Sequence, residues 1–250
     1  MKETWDSSER WYSGCVGEKG HYYHQTVVLP STIRLLGIKG KGSLLDLGCG
    51  QGVLARHLPE GIEYYGADQS KALIQSAKKL TRRPLTVFEV ADVCDQIPTE
   101  KKDFDWACLI LSLQNMENPN GAIATAGRHI KKGGKLVIVL NHPCFRIPRQ
   151  SSWGIDEAAK LQYRRMNSYM SPQKIPIQTN PGKGEQSATT YSYHFPLSSY
   201  AAWLQKEGLQ IVTMEEWCSD KKSEGSKARM EDRARREIPL FLALVATQVK

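Results

Sequence analysis

An apolar run that ends in three closely spaced glycines constrains this chain more than any other stretch. Ser43-Leu44-Leu45-Asp46-Leu47 has the character of a buried strand, and Gly48-Cys49-Gly50-Gln51-Gly52 follows it directly. Glycines allow torsions and close approaches that a Cβ forbids, so the pair describes a strand feeding a tight turn. Two nucleotide-binding patterns share that outline. The dinucleotide pattern G-x-G-x-x-G needs Gly or Ala at position 53, which is Val53 here. The phosphate-cradling pattern G-x-x-x-x-G-K-[ST] does not occur. A tight structural turn that binds nothing is the remaining plain alternative.

Short apolar runs alternate with amphipathic stretches on either side of the turn. Residues 62–67 form a second expected strand ending at Asp68; Ser70 then suits a helix N-cap, with Ala72, Leu73, Ala77 and Leu80 on the apolar face. Residues 85–90 form a third strand, and 104–111 a fourth that is nearly all apolar, as a strand covered on both faces should be. Ile123, Ala126 and Ile130 make a helical stripe expected to stop at Gly133-Gly134, ahead of a fifth strand at 136–140. A helix over 198–207 ended by Gly208, then strands at 209–217 and 239–249, complete the set. This rhythm predicts an α/β fold, a parallel sheet with helices on both faces, in one domain spanning 1–250.

Two regions depart from the rhythm. Residues 142–196 are rich in Pro, Ser, Gln, Tyr and Arg with poor periodicity. A structureless loop of that length is uncommon in a compact domain, so an inserted, partly helical cap is expected. The charged linker between the last two strands is expected to be mobile. Near the start, Val27, Val28, Ile33, Leu35 and Leu36 suggest helical packing kinked at Pro30, with residues 1–41 an arm beside the mouth of the sheet.

The Leu44–Gly52 stretch resembles the first motif of class I S-adenosylmethionine-dependent methyltransferases, an acidic residue followed by G-x-G-x-G. Phe104-Asp105-Trp106 and Leu111-Ser112-Leu113-Gln114-Asn115-Met116 resemble the family's fourth strand and the segment after it, commonly L-x-L-x-H, with Asn115 in place of the His. Lys132-Gly133-Gly134-Lys135-Leu136 is similar to the family's K-P-G-G turn, with Lys132 in the Pro position. The matches cover about residues 42–141. The resemblance implies a Rossmann-like, seven-stranded, mostly parallel sheet with helices on both faces and an antiparallel last strand. It also implies S-adenosyl-L-methionine as cofactor, held by Asp46, Gly48, Cys49, Gly50, Asp68, Gln69, Asp92, Val93, Leu111 and Ser112. Asp46 would lie beneath the turn near the cofactor's ammonium. Asp68, 22 residues beyond Asp46, would accept hydrogen bonds from the ribose hydroxyls, and Asp92 one from the adenine amino group. Either aspartate alone could be a simple turn former; acidic residues at three successive strand ends form a stronger pattern.

His142-Pro143-Cys144-Phe145 and Tyr193-His194-Phe195-Pro196-Leu197 resemble stretches in the ubiquinone/menaquinone-type small-molecule branch of that family. The expected reaction is methyl transfer to a small acceptor, aromatic or apolar. His142, directly after the fifth strand, is the candidate base, since a neutral imidazole can take a proton. Tyr12, Tyr23, His24, Gln114, Phe145 and His194 are candidates for the acceptor pocket. Aromatic residues concentrate in the same regions: 12 of 21 lie within 1–24 or 142–196, where they could cover a substrate or simply form a small core.

Composition narrows the alternatives. The formal net charge of +8 raises the possibility of an RNA acceptor, yet residues 218–237 mix seven basic with five acidic side chains and form no basic stripe. Asn115 in place of the His keeps a non-catalytic cofactor-binding protein open as a second alternative. The six cysteines lack paired spacing, so reduced thiols are expected, and neither disulfides nor a metal. No run of 18 apolar residues occurs and the first residues lack a signal-peptide core, which leads to an expected cytoplasmic location without a membrane span.

Overall fold

The computed structural model describes residue 14, residues 16–178 and residues 189–249. Eleven strands and five α-helices occur among them. A π-helical turn, His24–Val28, runs into α1 (Leu29–Leu36), and Pro30 sits in the first turn, where its missing N–H costs nothing. Gly37, at φ 65°, ends α1. Strand β1 is Gly42–Leu47, β2 Ile62–Asp68, β3 Thr86–Val90, β4 Phe104–Ile110 and β5 Ile130–Asn141. Helix α2 (Lys71–Leu80) is capped by Ser70, whose Oγ accepts from the Leu73 amide at 3.2 Å. Helix α3 (Pro119–His129) is capped by Asn118, which accepts from the Gly121 amide at 3.0 Å. After β5 come β6 (Ser151–Asp156), β7 (Leu161–Met166), β8 (Gln173–Gln178) and β9 (Thr189–His194). Helix α4 (Leu197–Lys206), β10 (Leu209–Trp217), α5 (Ala228–Glu237) and β11 (Phe241–Gln248) complete the chain.

Seven strands form one sheet in the order β10-β11-β5-β4-β1-β2-β3. Strand β1 is parallel to β2 and β4, β2 to β3, and β4 to β5, whereas β11 runs antiparallel to both β5 and β10. This is the Rossmann-like sheet expected, with the antiparallel final strand slotted inside the edge. Alternate residues of each central strand face opposite cores. Leu44, Val137 and Val139 join α1 and α2 on one face; Leu45, Leu47, Leu136 and Ile138 join α3 and α4 on the other. Full burial of each such aliphatic side chain contributes about 1.5–3 kcal/mol, and this two-sided burial is what makes β1, β4 and β5 nearly all apolar. Lys135 on β5 donates to the carbonyls of Leu35 and Leu36, which docks the C-terminal end of α1 onto the sheet.

Three expectations need correction. Ile130 does not extend the helix: α3 ends at His129, and Ile130 opens β5 opposite Phe104. The register then jumps to Trp106 opposite Lys135, so residues 131–134 form a bulge, with Gly133 at φ 76°. Gly134 packs so closely that a Cβ would lie 2.2 Å from Ile130 Cγ2, and the two glycines therefore serve the bulge rather than a helix cap. The insertion is not partly helical. Among its described residues it forms two antiparallel hairpins, β6–β7 and β8–β9, in keeping with the Tyr- and Thr-rich run Thr189-Thr190-Tyr191-Ser192-Tyr193. Finally, the linker before the last strand contains α5, anchored to the β6–β7 turn by Lys227 Nζ to Glu157 at 2.8 Å and by Arg233 to the Lys160 carbonyl at 3.1 Å. No helix among the described residues is long and apolar enough to cross a membrane.

Candidate active site

The carboxyl ends of β1, β2, β3 and β4 open on one cavity of about 870 Å³. The glycine turn after β1 forms part of its wall. Gly48, at φ 75°, lies so close to the segment after β4 that a Cβ would be 2.5 Å from Ser112 Cβ. Ser112 Oγ in turn donates to the Leu47 carbonyl at 3.0 Å. The amides of Gly48 and Cys49 donate to the Ala67 carbonyl at 2.8 and 3.1 Å, holding the turn against β2.

Asp68, at the end of β2, fixes the rest of the turn. Its Oδ2 accepts from the Gly50 amide and its Oδ1 from the Ser70 amide, each at 2.9 Å. Asp92, just past β3, accepts from the Cys94 amide at 3.0 Å. Leu111, past β4, is held at φ 52°, an uncommon torsion for a residue with a side chain. Its amide donates to the Val139 carbonyl at 2.8 Å, so β5 holds the turn that presents Leu111 to the cavity.

Of the ten residues expected to hold the cofactor, eight line this cavity: Gly48, Gly50, Asp68, Gln69, Asp92, Val93, Leu111 and Ser112. Asp46 lies beneath the turn, only 3% exposed, and its Oδ2 accepts from the Tyr64 hydroxyl at 2.6 Å. Burial pushes the Asp46 carboxyl up to about 6, against the opposing hydrogen bonds from Tyr64 and Cys108. Cys49 packs where a Cβ on Gly66 would lie 2.9 Å from its sulfur, and burial raises its thiol pKa.

The candidates for base and acceptor pocket separate. His24 lines the cavity. His142 does not: it is 1% exposed, with Nε2 2.7 Å from Glu216 Oε1 and Nδ1 accepting from the Cys144 amide at 3.2 Å. Burial lowers its pKa, partly offset by Glu216. Phe145 packs against that imidazole at a tilt of 42°, ring centres 4.8 Å apart, and is not part of the cavity lining. His194 Nε2 lies 2.6 Å from the Tyr169 carbonyl, and Tyr23 Oη lies 2.9 Å from Ser219 Oγ; neither residue lines the cavity. Gln114 donates to the Leu111 carbonyl at 3.0 Å, behind the wall. Tyr12 lies outside the described residues.

Other lining residues were not singled out from sequence, among them His21, Glu117 and Lys174, while Asn115 and Met116 of the segment after β4 line it as well. Tyr191 and Tyr193, noted there only among the insertion's aromatics, line it from β9. Their i, i+2 spacing puts both on one face of the strand, a signal visible once β9 is known to be a strand. Lys174 Nζ sits 4.5 Å from the Tyr191 ring centre and 3.6 Å from Glu117 Oε1. Among the described residues the charged ones on the lining are Asp68, Asp92, Asp95 and Glu117 against Lys174, so this part of the wall is acidic. No cluster of His, Cys, Asp and Glu fit for a metal ion occurs among the described residues.

Residues 45–138 match a family described as a methyltransferase domain. The demethylmenaquinone methyltransferase of Tropheryma whipplei (strain Twist) is 30% identical over 112 residues, 44% of this chain and 46% of that protein. A ubiquinone/menaquinone biosynthesis C-methyltransferase of Geobacter sp. (strain M21) is 26% identical over 115 residues, 43% of this chain and 48% of that one. The chain thus spans less than half the length of these curated relatives. Among solved structures, an S-adenosylmethionine-dependent methyltransferase from Mesorhizobium loti superposes with a TM-score of 0.68 at 22% identity, covering 90% of this chain and 98% of that one. Another from Clostridium acetobutylicum gives 0.60 at 15% identity, covering 98% and 99%. These likenesses are of fold.

Proposed function

We propose that this chain, whose residues 45–138 match a methyltransferase domain, transfers the methyl group of S-adenosylmethionine to a small-molecule acceptor, aromatic or apolar. The observation that carries the proposal is the convergence of the Gly48–Gly50 turn, Asp68 and Asp92 on one cavity. The donor set fits that cofactor. A carboxylate at the end of β2 suits a ribose diol, one past β3 suits an adenine amino group, and the acidic wall suits a cation. Bound there, the cofactor supplies an electrophilic methyl group on a sulfonium.

The chain's own part is orientation and exclusion of water. Asp68 is fixed by two backbone amides before any ligand arrives, so little further ordering is needed. Glycine at position 48 lets the turn approach Ser112 where a side chain would block it. On the far side, the β8–β9 hairpin presents Tyr191, Tyr193 and the stem of Lys174, surfaces suited to an unsaturated ring. The similarity to demethylmenaquinone and ubiquinone/menaquinone methyltransferases supports a ring-bearing acceptor, and the acidic wall disfavours a polyanion.

Calorimetry with S-adenosylhomocysteine, followed by methyl-labelled cofactor and a metabolite extract, tests the proposal. Binding together with label in a low-molecular-weight product is expected. Asp68→Ala should weaken binding by roughly 10- to 100-fold, the scale of one or two hydrogen bonds to a charged group. A wild-type protein that binds no S-adenosylhomocysteine would refute the assignment, and unchanged affinity in Asp68→Ala would remove the ribose role. Label transfer also separates an enzyme from a non-catalytic cofactor-binding protein.

A further inference from the structure

We infer that His24 takes the proton released by the methyl acceptor, and that the acceptor is an uncharged molecule presenting an O–H or N–H to that imidazole. The inference rests on the methyl-transfer proposal above and adds a residue and a substrate class to it.

Three features single out His24. It lines the cavity, and its Nδ1 is enclosed without a hydrogen-bond partner among the described residues. A buried polar atom left unmet costs about 1–3 kcal/mol, so the fold holds this ring in place against that cost. It also opens the π-helical turn His24–Val28, a rare geometry that is frequent at functional sites. Finally, the chain makes room for it. Gly20 sits at φ 91°, and a Cβ there would lie 2.6 Å from His24 Cβ, so the preceding loop can pass only as glycine.

The surroundings hold the ring in the form a proton acceptor requires. Burial, and then the neighbouring His21, bring its pKa down to about 4, so it is uncharged near neutral pH and offers one lone pair. His21 packs against it at a tilt of 44° with ring centres 4.1 Å apart, and His21 Nδ1 is already occupied by the Tyr23 amide at 3.2 Å. Three of the four carboxylates on the wall are otherwise engaged. Asp68 and Asp92 belong to the cofactor on the proposal above, and Glu117 pairs with Lys174 at 3.6 Å. With the cation paired and the rest of the charged wall acidic, an anionic acceptor would meet net repulsion.

The step balances without an added reagent. A lone pair on the acceptor atom forms the new bond to the methyl carbon. The carbon–sulfur bond breaks with its electron pair left on sulfur, giving the thioether. The acceptor's proton passes to the His24 lone pair and from there to water.

The test compares wild type, His24→Ala and His24→Gln in three measurements. These are calorimetric binding of S-adenosylhomocysteine, label transfer from methyl-labelled cofactor into a metabolite extract, and the same transfer with added imidazole. Expected is a 10²- to 10⁴-fold loss of transfer in His24→Ala, the usual worth of a positioned base. Cofactor-product affinity should stay within about threefold, since the Gly48–Gly50 turn, Asp68 and Asp92 are the groups assigned to the cofactor. Added imidazole should restore part of the rate in His24→Ala, which a merely structural role would not allow. Transfer by His24→Ala at the wild-type rate overturns the inference, as does a loss that tracks cofactor-product affinity and ignores imidazole. Failure of the wild type to bind S-adenosylhomocysteine is a separate result, which overturns methyl transfer itself.

Discussion

Asp46 combines two demands that conflict. The strand that carries it is buried on both faces, so its carboxyl loses hydration, and only the Tyr64 and Cys108 groups offset that loss. The carboxyl is raised to about 6 in the folded chain, above its ordinary value near 4. A raised carboxyl adds stability that is fully present below the unfolded value and is lost as pH climbs through the folded one. Without ligand, wild type should therefore lose on the order of 3 kcal/mol more than Asp46→Asn between pH 4 and pH 7. Denaturant unfolding across that window checks the sign, and parallel profiles for the two proteins would refute it. The sequence pointed to this residue through its motif. Its burial under the turn depends on Tyr64 and Cys108, which reach it from neighbouring strands.

At the scale of elements, His142 shows how a residue next to a site can serve the framework. It leaves β5 where its amide donates to the Leu240 carbonyl at 2.9 Å, and its ring meets Glu216 on β10. Because Nδ1 accepts from a backbone amide, Nε2 carries the proton and donates it to Glu216, leaving no lone pair for a substrate. His142→Ala should lower stability by about 1–3 kcal/mol and leave S-adenosylhomocysteine affinity within about threefold. Thermal unfolding paired with calorimetry measures both, and lost binding at unchanged stability would contradict the structural role. Position after a strand end was a fair reason to suspect His142 from sequence. What sequence did not contain was Glu216, 74 residues away, turned toward it. The hairpins were hidden for a related reason. Strands β8 and β9 pair Gln173 with His194 across a long connection, and no local period announces such a partner.

For the molecule as a whole, charge and chemistry point in different directions. The chain carries +8, yet the cavity wall is acidic, with Lys174 as its sole lysine or arginine among the described residues. A polyanion bound for methylation would have to enter that field. Fluorescence anisotropy with a short RNA should give only weak, non-specific binding at 0.15 M salt, and no competition with S-adenosylhomocysteine. Tight RNA binding that blocks the cofactor product would reverse the choice of acceptor.

By itself the sequence determined the things that depend on nearest neighbours along the chain. Apolar periods located the strands of the main sheet, Ser70 and Gly208 suited helix ends, and the glycines with Asp68 and Asp92 marked where the strands stop. Tertiary structure alone decided which histidine reaches the cavity, that β9 supplies its aromatic wall, and that Lys174 and Glu117 neutralise each other there. The physical reason is range. Backbone propensity and alternation act over a few residues, whereas a cavity is lined by segments whose meeting is set by the packing of the entire sheet.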